Sequence, residues 1–115
     1  MTELEPYKAL AHLDIFKAFE QQLRKDFEGA GQALGPDFIL ESNYLELQKQ
    51  MRNQVITLSK SNALPQLLYR IDISENQIKK YTQLQKEMSF ETVIAELIIK
   101  RILQKVIFKI HFSSK

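Results

Sequence analysis

The side chains that ordinarily carry chemistry are few and scattered in this sequence. Its only histidines, His12 and His111, stand near opposite ends, and neither has a carboxylate or a second histidine at E-x-x-H or H-E-x-x-H spacing. His12 reads as a boundary residue beside the Phe16 and Phe19 face, and His111 as an exposed or interfacial one. Cysteine is absent, which excludes thiol nucleophiles, thiolate metal sites and disulfides together and fits a reducing cytoplasm. The close carboxylates Glu3/Glu5, Asp26/Glu28 and Glu91/Glu96 carry no sign of an acid–base dyad and read as surface residues. "GAGQALG" from Gly29 follows a helical pattern rather than a strand, so it reads as an interhelical loop and not as a phosphate cradle. No G-x-S-x-G elbow occurs. The chemistry therefore predicts no catalytic residue, no metal site and no cofactor, and enzyme is the class with least support.

Charge is the next functional signal. Residues 1–46 hold nine acids and four bases, a net −5, whereas residues 47–115 hold five acids and twelve bases, a net +7. The last sixteen residues carry Lys100, Arg101, Lys105, Lys109 and Lys115 with no acid. Such asymmetry has three readings: a polyanion partner, head-to-tail association of copies, or acidic and basic helices packed side by side within one chain. The residues that would face a polyanion are Lys79, Lys80, Lys86, Lys100, Arg101, Lys105 and Lys109. With four arginines and no RNP-like aromatic run, a nucleic-acid module is the alternative reading rather than the first.

These residues sit on a pattern that reads as helix nearly throughout. With 115 residues, 44% of them hydrophobic, and three glycines and three prolines, the chain predicts a single all-α domain over 1–115, a compact array of about five helices. The first helical pattern runs from Thr2 or Glu5 to Glu28, where Gly29 stops it, with Ile15, Phe16, Phe19, Leu23 and Phe27 on its apolar stripe and a break in phase near His12 to Asp14. A second starts at Asp37 or Ser42 and buries Leu47, Met51 and Val55. Pro65 opens a short third with Leu67 and Leu68 inside. Ser74 and Gln77 form a capping box that starts a fourth at Glu75, running through Ile78, Tyr81 and Leu84 to Met88. Arg70 and Asp72, flanking the turn before it, read as a local ion pair or as a snorkelling base beside a turn-supporting acid.

Ser89 caps the last and longest helix, which is apolar nearly all round between residues 93 and 99 and is therefore expected to be central. At 100° per residue its first stripe is Phe90, Val93, Ile94, Leu97 and Ile98. Beyond Ile98 the apolar residues Ile99, Ile102, Leu103, Val106 and Ile110 move to the other side, and Phe108 and Phe112 add large rings near the end. A central helix meeting different neighbours, a helix projecting into another copy, and a short strand over 106–112 all satisfy this phase jump. The expected interface is Ile99, Ile102, Leu103, Val106, Phe108, Ile110 and Phe112, with residues 105–115 as an extension that meets the acidic first or second helix of a second copy.

The functional expectation is a non-enzymatic cytoplasmic protein acting through protein–protein association, as a homo-oligomer with a dimer favoured or as an adaptor. No membrane span is expected, because Glu96, Lys100, Arg101 and Lys105 interrupt the last apolar segment. Glutamate at Val106 and Ile110 is the substitution this reading would use to separate two copies. A far-ultraviolet circular dichroism spectrum dominated by helix is the first expected outcome, and a strand-dominated spectrum contradicts the whole assignment.

Overall fold

The computed structural model of the chain describes residues 6–113. The proposed helix starts at Thr2 and Glu5, together with Glu3, Leu4 and Lys115, lie outside them. Six helical elements follow in order: α1 (Pro6–Ala9), α2 (Leu13–Gly29), α3 (Tyr44–Lys60), α4 (Leu64–Ile71), α5 (Glu75–Leu84) and α6 (Phe90–Ser113). No strand occurs among the described residues, and the segment 106–112 is helical to its end. The break in phase near His12 is real: α1 is one turn, and α2 restarts at Leu13 on an extended His12.

Each boundary has a local cause. The Asn43 side chain accepts from the Glu46 amide at 3.2 Å and starts α3, so neither Asp37 nor Ser42 is its cap. Ahead of it the loop from Ala30 is held by side chains that replace a backbone ladder. The Arg24 guanidinium donates to the carbonyls of Gly35 at 3.2 Å and Phe38 at 2.5 Å. The Gln50 amide donates to the Ile39 carbonyl at 2.7 Å and accepts from the Glu41 amide at 2.9 Å. Gly31 takes a positive φ of 77°, where a side chain would be strained. Asp72, left-handed at φ 72°, ends α4 and turns the chain. The capping box forms as expected, with Ser74 accepting from the Gln77 amide and Gln77 from the Ser74 amide. α5 ends at Leu84, one turn earlier than the pattern to Met88 suggests, because Gln85 leaves helical backbone. Ser89 then accepts from the Thr92 amide at 3.2 Å and starts α6.

α6 is the axis of the molecule and packs against all five other elements. Its two stripes are both consumed by the chain's own core: Val93, Ile94 and Ile98 on one side, Ile99, Ile102, Leu103 and Val106 on the other, all at 2% exposure or less. Of the expected core, Phe19, Leu23, Phe27, Leu47, Met51, Val55 and Leu67 are buried, and Phe16, Leu68, Ile78 and Leu97 pack half-buried against it. Leu84 is the correction. Expected inside as part of the α5 stripe, it is 77% exposed, on a helix at the edge none of whose residues is buried.

Central burial predicts an uneven mutational response along α6. Ile98→Ala removes a side chain with no exposed surface and should cost about 2–5 kcal/mol in chemical denaturation. Phe108→Ala, on the same helix but 63% exposed, should stay within about 0.5 kcal/mol. Equal losses at the two positions would contradict this placement of α6.

Candidate association surface

The seven residues expected to form an interface do not share one surface. Ile99, Ile102, Leu103 and Val106 are buried inside the chain, between α6 and the helices around it, and offer nothing to a second copy. The phase jump arises because a central helix meets different neighbours on its two sides. Val106 is therefore not a position for separating copies, since glutamate there would open the core. Phe108, Ile110 and Phe112 do stand in solvent, at 63%, 42% and 51% exposure. They divide further. Ile110 continues the buried stripe of Ile99 and Val106 past the point where the core ends. Phe108 and Phe112 stand one turn apart on the side that carries Arg101 and Lys105, their ring centroids 4.4 Å apart, with the His111 ring edge-on to Phe112 at 5.3 Å.

The basic residues are equally divided. Arg101 pairs with Asp72 at 3.1 Å, Lys105 with Asp26 at 3.0 Å, and Lys109 donates to the Gln22 side chain at 2.6 Å. Lys100 donates to the Tyr81 hydroxyl at 3.1 Å and lies 4.8 Å from the centre of that ring. One acid of the first long helix, Asp26, thus meets a C-terminal base of its own chain, and this pair, with Lys109 against Gln22, shows that α6 runs antiparallel to α2. Lys79, Lys80 and Lys86 are exposed on α5 and in the turn after it.

Two carboxylates that read as surface residues are buried and organise this network. Asp26 is 2% exposed and receives Lys105, the Gln22 amide at 3.1 Å and the Arg70 guanidinium at 3.7 Å. Arg70 reaches it across Gly29, where an added Cβ would come within 2.6 Å of the Arg70 Nε. The local pair of Arg70 with Asp72 is replaced by two long-range ones, Arg70 to Asp26 and Arg101 to Asp72. Glu96, 7% exposed, accepts from the Tyr81 hydroxyl and from the Gln48 amide, each at 2.5 Å. One signal pointed to Glu96: an acid inside a stretch that is apolar all round must be buried and must bring partners. Asp26 had only its place between Leu23 and Phe27 to mark it.

None of these groups forms a reactive constellation. No group of three metal-binding side chains occurs among the described residues, and no buried side-chain nitrogen or oxygen among them lacks a partner. The glycine loop presents carbonyls to Arg24. That is the opposite polarity to a cradle of amides for phosphate. Among the described residues no helix is long and apolar enough to cross a membrane. No protein family, curated protein or solved structure matches the chain.

The Glu96 site has one measurable electrostatic consequence. Burial, then the nearby Glu96 charge, push the Tyr44 phenol from 10.0 up to about 12, against a hydrogen bond with Gln48 that favours ionisation. The folded chain therefore keeps a proton that the unfolded chain loses. The stability from Tyr44 is whole below the unfolded value of 10.0 and is lost as pH rises toward about 12. In a tyrosinate absorbance titration, Tyr44→Phe should remove an ionisation step at about 12 and soften the alkaline loss of stability. Unchanged titration in the variant would contradict the assignment.

Proposed function

We propose that this protein acts without catalysis, by reversible association with a second copy of itself through the Phe108 and Phe112 face of α6. The single observation that carries this reading is the exposure of two adjacent phenyl rings at the end of a helix whose preceding apolar residues from Val93 to Val106 are all buried or half-buried. Rings of this size dominate interface energetics when a partner covers them. The bases around them support a like partner. Arg101 and Lys105 are compensated by Asp72 and Asp26 of their own chain, so two such faces approach without the repulsion that uncompensated bases would impose. The same compensation weakens the case for a polyanion, leaving Lys79, Lys80 and Lys86 as its main exposed contacts. Two rings and their surroundings form a small contact by the standard of stable interfaces, which bury about 1,200–2,000 Å² in total. The association is accordingly weak and concentration-dependent.

Sedimentation velocity over a concentration series tests this. The wild-type mass should rise from one chain toward two, and the Phe108→Glu/Phe112→Glu double variant should remain at one chain with an unchanged helical spectrum. A wild type that stays monomeric at about 1 mM, a concentration that reveals even millimolar affinity, ends the proposal. Salt-sensitive binding of a DNA or RNA oligonucleotide by that monomer would favour the nucleic-acid reading instead.

A further inference from the structure

α5 is held to the body of the molecule by less than any other long helix. None of its residues is buried, and between Glu75 and Leu84 only Ile78 and Tyr81 are half-buried. Ten residues are too few to persist as an isolated helix, since about 12–15 are marginal in water. Its order therefore depends on docking, and the strongest docking contacts are polar. The Tyr81 hydroxyl donates to Glu96 at 2.5 Å and accepts from Lys100 at 3.1 Å. Backbone able to absorb rotation flanks it at both ends: the left-handed Asp72 before it and the non-helical Gln85–Ser89 segment after it.

The two partners of Tyr81 stand four residues apart on α6, with the glutamate N-terminal to the lysine. That is the favourable arrangement for an ion pair along a helix. In the folded chain the tyrosine hydroxyl links them, as donor to one and acceptor from the other. When Tyr81 withdraws, Glu96 and Lys100 can close on each other, so neither charge is left without a partner. Opening therefore costs the hydrogen bonds of the Tyr81 hydroxyl but does not strand a charge as well. Docked α5 also supplies Ile78 as one wall of an apolar groove of about 580 Å³, whose other walls include Leu64, Leu68, Ile73 and Phe90.

We propose that α5 is a hinged strap, latched by Tyr81 between Glu96 and Lys100, that opens as a unit while α2, α3 and α6 remain folded, and whose opening removes the Ile78 wall of the groove and bares the Leu68 and Ile73 side it packs beside. The inference is independent of the self-association of α6, because Phe108 and Phe112 take no part in it.

Residue-resolved hydrogen exchange on the full chain under native conditions tests it. Amides of residues 79–84 should exchange through a local opening, faster than those at the centres of α3 and α6. Tyr81→Phe, which keeps the ring and deletes the latch, should speed these amides about tenfold or more, the effect expected of a hydrogen bond to a charged group, and leave α3 and α6 unchanged. Val55→Ala, which weakens the core, should speed α3 and α6 and leave α5 alone. The proposal is overturned if wild-type α5 exchanges as slowly as the centre of α6, if Val55→Ala speeds α5 and α6 together, or if Tyr81→Phe accelerates every helix by the same factor.

Discussion

The structure depends on covering α6 on every side. Between Val93 and Leu103 no residue of this helix is fully exposed, and eight of the eleven are buried. A single neighbour covers only one sector of a helix, so such a segment is stable in water only when several elements surround it. α1 to α5 do this, each contacting α6.

Apolar coverage is non-directional and would tolerate many rotations of the surrounding helices. The polar residues on α6 remove that freedom. Glu96 takes Gln48 from α3 and Tyr81 from α5, Arg101 takes Asp72 from the turn between α4 and α5, and Lys105 takes Asp26 from α2. The contacts at Glu96 and Asp26 tie their neighbours to particular turns of the axis, since a buried polar group without its partner is costly, whereas the exposed Arg101–Asp72 pair adds little. Arg70 adds a second tie from α4 to Asp26. Through Asp26, which meets Lys105 and Arg70, the acidic first part of the chain is tied to the basic second part within one fold.

Much of this order is legible in the residues. Helical periodicity located the elements, the Ser74/Gln77 capping box placed the start of α5, and the all-round apolar stretch marked α6 as central. Each signal is local, arising from residues within a turn or two of one another. The misreadings have the opposite character. Leu84 fits a helical stripe yet has nothing to face, and Asn43 rather than Ser42 caps α3 because Arg24 and Gln50 decide how the loop arrives. Asp26 looked like a surface acid because its partners Lys105 and Arg70 lie 79 and 44 residues away.

By itself, then, the sequence determined that the chain is helical, where α5 and α6 begin, and that the last helix is an axis, because backbone capping and apolar periodicity act over short stretches. Only the tertiary structure decided which of the residues from Ile99 to Phe112 are spent on the core and which remain in water. It alone decided that the acids facing the C-terminal bases belong to the same chain, and that Tyr81 bridges Glu96 and Lys100. Those outcomes depend on which helix stands opposite each turn of α6, a question of helix rotation and register that no single helix's periodicity contains.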